Sequence, residues 1–226
     1  MTTLATVLPA LLAGCADLYS SSGPVSVASL RGGDIIVAAP AGLCVDAQAS
    51  DLLAGFALMA PCVTVQGQDT AKSTSAVVTV QAGLAGSASV IGSEQTLVTL
   101  FESDAGAALL SDTGNSSAVN VTSTASNPND VRVAFDEKGA ATIAGTTGTV
   151  RRAFFDVGSR LVTISVRSLV GDPLTNRAGR DLLVTLVGAT KQASPDPSQQ
   201  SSRKLFPVLQ QFGRYVTSID EPVQGT

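Results

Sequence analysis

The stretch VRRAFFDVGSRLVTISVRS, residues 150–168, decides the expected fold. Val162, Ile164 and Val166 alternate with Thr163, Ser165 and Arg167 in this stretch. Alternation with a period of two is typical of a strand that buries one of its faces. The segments 150–156 and 160–168 are separated only by Val157-Gly158-Ser159. The pattern therefore predicts a β-hairpin with residues 162, 164 and 166 facing the core.

A helix is predicted after this hairpin. Gly171-Asp172-Pro173 indicates a turn, and the apolar residues Ala178, Leu182 and Leu186 mark one face of a helix that runs to about Lys191. Residues 193–204 are rich in Ser, Pro and Gln and indicate a linker. Residues 205–226 follow as a C-terminal tail, whose apolar residues are spaced as in an amphipathic helix.

The segments before the hairpin predict further strands and two short helices. Strands are expected at 35–39, 43–46, 56–65 with a break at Pro61, 75–81, 131–135 and 140–144. Helices are expected at 94–102 and 104–110, and residues 115–129 are expected to be mostly loop with an edge strand at 119–122. This order favours a single α+β domain over residues 33–192, with a largely antiparallel sheet, flanking helices, and a C-terminal hairpin followed by an amphipathic helix.

The N-terminus has the features of an export signal. Residues 4–14 form an apolar run too short to cross a bilayer as a helix. Leu12-Ala13-Gly14-Cys15 resembles the lipobox of bacterial lipoproteins. The resemblance implies that residues 1–14 are a signal peptide, that Cys15 is acylated, and that residues 15–32 are a lipidated tether. Ala16 after the cysteine implies the periplasmic face of the outer membrane.

Two cysteines remain when Cys15 is assigned to lipidation. Cys44 and Cys62 form an even pair, which in an exported chain is most simply a disulfide. The alternative is two buried thiols that pack as small apolar residues. Two sulfurs without histidine make an incomplete metal shell, so neither a metal nor another cofactor is expected.

Composition excludes several functional classes. The chain has 226 residues with a net charge of −4, so a nucleic-acid partner is not expected. It contains no histidine, which removes the Ser-His-Asp triad, the Cys-His pair and histidine metal sites. Ser201-Ser202-Arg203-Lys204 matches Ser-x-x-Lys but lies in the predicted linker without companion motifs.

Basic residues concentrate in the second half of the chain and give the one candidate binding surface. Residues 131–226 hold twelve basic and eight acidic residues, whereas residues 1–130 hold two and ten. Arginines on neighbouring strands can share a face and bind lipid headgroups or an acidic partner. The alternative is a solvated surface with scattered ion pairs. The concentration comprises Arg132, Arg151, Arg152, Arg160, Arg167, Arg177 and Arg180. The arginines expected on the anionic-partner face are Arg151, Arg152, Arg160 and Arg167.

The segment RLVTISV, residues 160–166, followed by Pro173 and a leucine-rich helix, resembles uncharacterised exported bacterial proteins and, loosely, PsbP-like sheets backed by a C-terminal helix. This resemblance implies no activity. We expect an envelope lipoprotein with a binding, scaffolding or assembly role rather than an enzyme. Its expected partners are the membrane, through the lipid anchor, and an envelope protein. The alternatives are a lipid-anchored hydrolase that works without histidine and a carrier of an apolar ligand.

Overall fold

The fold is α+β in the computed structural model, which describes residues 25–67 and 74–195. Seven antiparallel strands form the main sheet in the order β3-β4-β5-β9-β8-β7-β6, and β1 and β2 form a separate hairpin. The strands are β1 Val27–Leu30, β2 Ile35–Ala38, β3 Leu43–Val45, β4 Phe56–Pro61, β5 Ala76–Ala82, β6 Val119–Asn127, β7 Asp130–Glu137, β8 Thr146–Val157 and β9 Arg160–Leu169. The helices are α1 Cys62–Gln66, α2 Glu94–Phe101, α3 Asp104–Leu110 and α4 Asn176–Ala193.

The predicted hairpin and the helix after it are confirmed. Strands β8 and β9 pair up to Val157 and Arg160, which leaves Gly158 and Ser159 as the turn. Gly158 has a φ of 58°, a conformation that costs glycine little. Val162, Ile164 and Val166 are fully buried, as the alternation predicts.

Both faces of the main sheet are covered. Helix α4 and the β1–β2 hairpin pack on one face, where Leu183, Leu186 and Val187 join the core formed by β4, β5, β8 and β9. Helices α2 and α3 pack on the opposite face, where Phe101 and Leu110 contact the core side chains of β7 and β8. Because α4 and α3 lie on opposite faces, alternate residues of β7 and β8 point into two different environments.

Several predicted boundaries are wrong. The folded domain begins before residue 33, because Ala28 and Leu30 of β1 are fully buried against the sheet. The tether predicted to reach residue 32 is therefore too long. The strand predicted at 140–144 is absent from the described structure; β8 begins at Thr146 instead, and Thr142 hydrogen bonds to Asp112.

Two further corrections concern β6 and α4. The edge strand predicted at 119–122 is longer, because β6 continues to Asn127 and pairs with β7 along its whole length. The buried face of α4 is rotated relative to the prediction: Gly179, Leu183, Leu186, Val187 and Thr190 are buried, whereas Ala178 is exposed. The N-terminal segment 1–14, Cys15, the Ser201–Lys204 motif and the tail 205–226 lie outside the described residues.

Candidate functional site

The four arginines predicted to share a face do not do so. Arg151 and Arg152 are neighbours on β8, so their side chains point to opposite faces of the sheet. Arg152 and Arg167 come together on the side of α3, because β8 and β9 pair in register. Arg160 lies at the β8–β9 turn, where it contacts Asp34 at 2.6 Å and donates to the Gly83 carbonyl. Arg151 lies against α4, where its guanidinium approaches Gly179.

Arg152 and Arg167 belong to a compensated ion-pair cluster. Asp112 contacts Arg167 at 2.6 Å and Arg152 at 3.9 Å, and Glu137 contacts Arg167 at 3.5 Å. Arg152 also donates to the Ser165 hydroxyl and the Leu110 carbonyl, and its guanidinium lies 5.3 Å from the centre of the Phe135 ring. Burial lowers the pKa of Arg152, and the Asp112 carboxylate opposes that shift. Two arginines with two carboxylates leave no charge for a ligand, so this cluster is structural.

A groove of about 680 Å³ lies on the other face of the sheet, between α4 and the strands β6, β7 and β8. It forms there because α4 packs over β8 and β9 and does not reach the edge strand β6. The side chains and backbone that line the groove come from Thr122, Ser123, Thr124, Ala125, Arg132, Val133, Ala134, Asp136, Thr149, Arg151, Asn176, Arg177, Arg180 and Leu183.

The floor of the groove is a small residue surrounded by polar ones. Ala134 of β7 pairs with Ser123 of β6 on one side and with Arg151 of β8 on the other. Arg132 and Asp136 lie two residues before and two after Ala134, on the same face of β7. The short alanine side chain therefore leaves a depression that two guanidinium groups, one carboxylate and one hydroxyl can reach.

Arg151 is the most buried charge in the groove, with only 6% of its surface exposed. Its Nη2 donates to the Asn176 amide oxygen at 2.6 Å, and no carboxylate among the described residues forms an ion pair with it. Burial lowers the pKa of Arg151, and Asp136 opposes that shift. A guanidinium stays protonated in proteins, so a buried positive charge faces the groove.

Gly179 allows α4 to lie directly on the Arg151 guanidinium. A Cβ atom at position 179 would lie 2.8 Å from Nη1 and 3.0 Å from Cζ of Arg151. Only glycine permits this approach, and it fixes the guanidinium between the helix backbone and the sheet. Gly188, two helical turns further along, has open space around its Cα and makes no such contact.

The other charges of the groove are partly compensated. Arg132 pairs with Asp130, but its buried Nε has no hydrogen-bond partner in the described structure. Arg177 and Arg180 lie at the rim on α4, largely exposed, and both are 3.6 Å from Asp181. Asp136 accepts a hydrogen bond from the Thr149 hydroxyl at 2.7 Å. Buried donors in native proteins normally have partners, so the free Nε is a site where an acceptor would be favourable.

Sequence reasoning included Arg132, Arg177 and Arg180 in the basic concentration but did not assign them to the anionic-partner face, and it did not assign Asp136 to a binding site. The available signal was the alternation over 131–136, which places Arg132, Ala134 and Asp136 on one face of a strand. Nothing in the sequence pairs that face with Arg151 or with the start of α4.

The two remaining cysteines are joined as the sequence predicts. Cys44 of β3 and Cys62, the first residue of α1, form a disulfide with Cα atoms 4.8 Å apart. Their backbones are brought together by the antiparallel pairing of Leu43 with Pro61 and of Cys44 with Ala60. The bridge links the short edge strand β3 to the end of β4 and lies outside the groove.

Comparison with known proteins gives little further information. No family model matches the sequence, and no curated protein matches it. Two similar solved structures are the Ran-binding protein Mog1p of Saccharomyces cerevisiae and a point mutant of Mog1. Each is 12% identical to this chain, with a TM-score of 0.41; the alignments cover 76% of this chain and 96% and 97% of theirs. At this level of similarity the comparison carries no argument about a ligand or an activity.

Proposed function

We propose that this protein is an envelope lipoprotein, anchored through acylated Cys15 to the periplasmic face of the outer membrane, whose folded domain binds an anionic ligand in the groove beside α4. The role is one of binding or assembly rather than catalysis, and the ligand can be displayed by a partner in the envelope. The anchor is supported by the lipobox-like residues 12–15. The groove is supported by the geometry around Arg151.

The single observation that carries the binding proposal is the buried Arg151 guanidinium. Removing a charge from water is costly unless an opposite charge or several hydrogen bonds replace the lost hydration. Arg152 and Arg167 receive that compensation from Asp112 and Glu137. Arg151 donates one hydrogen bond, to the Asn176 amide oxygen, and forms no ion pair with a carboxylate of the described residues. An anion seated on Arg151 would supply the missing compensation through charge-assisted hydrogen bonds.

No helix in the described part of the chain is long and apolar enough to cross a membrane. Membrane attachment through acylated Cys15 is the part of the proposal that can be tested without the groove. Wild-type protein extracted from bacterial membranes should begin at a triacylated Cys15 by mass spectrometry. The Cys15→Ser variant should keep its N-terminal segment and lose acylation. Wild-type protein with an uncut Met1 and an unmodified thiol would contradict the anchor, whatever the groove binds.

Replacing Arg151 with methionine is expected to weaken anion binding in the groove. The probe is inorganic phosphate, titrated at low ionic strength and followed by ¹⁵N–¹H NMR. In the wild type, the amide signals of Ala134, Arg151 and Asn176 should shift until the groove is saturated, and in Arg151→Met the groove signals should shift only at much higher phosphate concentration. We expect an affinity loss of about tenfold or more, because hydrogen bonds to charged groups contribute about 1.5–3 kcal/mol. Lys138→Met is the control, since Lys138 is exposed and does not line the groove.

A second pair of variants separates the position of the guanidinium from its charge. Gly179→Ala keeps Arg151 but pushes its guanidinium away from α4, so phosphate affinity should fall while net charge is unchanged. Gly188→Ala makes the same substitution in open space and should stabilise α4 by up to about 1 kcal/mol without changing affinity. Phosphate shifts outside the groove, or an equal response in all four variants, would contradict the proposal.

A further inference from the structure

We infer that the ligand is a small hydroxyl-bearing anion with a single acid group, an acidic sugar or a sugar phosphate, whose anionic group lies on Arg151 and Arg132 and whose hydroxyls donate to Asp136. This inference rests on the proposed function and specifies the class of ligand. It follows from the charge balance of the groove, from the free acceptor on Asp136 and from the spacing of these groups on the sheet.

The charge balance favours an anion with a single acid group over a polyanion. Four arginines line the groove, but Arg132 is paired with Asp130, Arg177 and Arg180 share Asp181, and Asp136 faces the same space. Four positive and three negative groups leave one net positive charge. A nucleic acid or another polyanion would find three of these four positive charges already paired or facing Asp136, and its further negative charges would lie near the Asp136 carboxylate, which disfavours binding.

Asp136 supplies the second requirement. Its Oδ1 accepts from Thr149, and no residue in the described ranges donates to its Oδ2. An ionised carboxylate can only accept hydrogen bonds, so it repels a bare anion and binds one that also carries donors. Hydroxyl groups of the ligand would provide those donors, and the Ser123 hydroxyl across from Ala134 can hydrogen bond to a further one.

Arg151 and Asp136 lie close enough for one ligand to contact both. Ala134 pairs with Arg151 and Asp136 pairs with Thr149, so Arg151 and Asp136 are diagonal neighbours on two adjacent strands. The Cα atoms of such neighbours are about 7–8 Å apart, a distance that a sugar-sized ligand can bridge. Acetate has no donor for Asp136, whereas a sugar with an exocyclic acid group carries hydroxyls on its ring. Ala134 below and Leu183 above supply apolar contact.

The test uses probes that separate charge from hydroxyls. Glucuronate carries both, acetate carries only the charge, and glucose carries only the hydroxyls. Glucuronate should bind the wild-type protein at least tenfold more tightly than either of the others. Glucose 6-phosphate against inorganic phosphate repeats the comparison for a phosphate group and shows which acid group is preferred. Tighter binding of a short single-stranded oligonucleotide than of glucuronate would overturn the inference.

The Asp136→Ala variant should change the glucuronate affinity in opposite directions under the two explanations. If Asp136 accepts ligand hydroxyls, glucuronate affinity falls about tenfold and acetate affinity is unchanged or rises. If the groove responds only to charge, removing a carboxylate strengthens the binding of both anions. Asp104→Ala is the control, because it removes an exposed carboxylate on α3 at the opposite face of the sheet. Thermal unfolding by circular dichroism verifies that both variants fold.

The outcomes also separate this inference from the proposed function. If acetate and glucuronate bind equally well and Asp136→Ala strengthens the binding of both, the sugar ligand is overturned. The anion-binding groove would then still stand. The absence of any anion-induced shift at Ala134 and Arg151, even at saturating probe, would overturn both.

Discussion

Replacing Asp112 with alanine is expected to lower the free energy of unfolding by about 3 kcal/mol, the lower end of the cost of removing one partner from a buried ion pair, because the Asp112 side chain is itself 19% exposed. Arg167 is 5% exposed and Arg152 is 15% exposed, so neither can recover its hydration in the folded state. Only Glu137 would remain to compensate the two guanidinium groups. The variant also loses the hydrogen bond from Thr142, which holds the loop before β8. Urea unfolding followed by circular dichroism measures the difference.

Two comparisons show whether the uncompensated buried charge causes the loss of stability in Asp112→Ala. Asp181→Ala removes a carboxylate of an exposed ion pair on α4, so the loss should stay below about 1 kcal/mol. In the Asp112→Ala background, Arg167→Met removes one of the two guanidinium charges that Glu137 alone must then compensate, and it should recover part of the lost stability. If Asp112→Ala and Asp181→Ala cost the same, the cluster is solvated and our account of Arg152 is wrong.

The sequence predicted the parts of the fold that depend on local patterns. The β8–β9 hairpin follows from the alternation at 162–166 and from a short turn with glycine, and both are properties of neighbouring residues. Strand β6 was underestimated because its exposed Ser, Thr and Asn residues lack that alternation. Its pairing with β7 is a tertiary feature, which outweighs weak intrinsic propensity.

The candidate site depended on long-range contacts and could not be predicted in the same way. Adjacent arginines on a strand must face opposite sides, which already separates Arg151 from Arg152. Which of them is neutralised depends on Asp112, forty residues earlier in the chain, and on the face that α3 covers. The contact between Gly179 and Arg151 depends on how α4 is rotated about its axis. The apolar pattern predicted a buried face through Ala178 and Leu182, whereas the buried residues are Gly179 and Leu183, one position later.

Replacing Asp156 with alanine is expected to lower the free energy of unfolding by about 3 kcal/mol. This carboxylate is 4% exposed and accepts hydrogen bonds from the backbone N–H groups of Ser89, Val90 and Ile91 at 3.0, 2.8 and 2.9 Å. Alanine provides no acceptor, and a buried donor left without a partner costs about 1–3 kcal/mol. Val90 is fully buried in the core beneath α2, so water cannot readily replace the lost acceptor at its amide.

Asp156→Asn provides a graded comparison for the same site. An asparagine oxygen in the place of Oδ2 can still accept from Val90 and Ile91, while its amide group faces the N–H of Ser89 and cannot accept from it. The loss of stability should therefore lie between those of the wild type and the alanine variant. Hydrogen exchange gives the local measurement, because the Val90 amide should exchange faster in Asp156→Ala than the global loss of stability requires. An unchanged Val90 exchange rate would mean that the carboxylate does not hold the loop over 89–91, since the amide would then be protected by something other than Asp156.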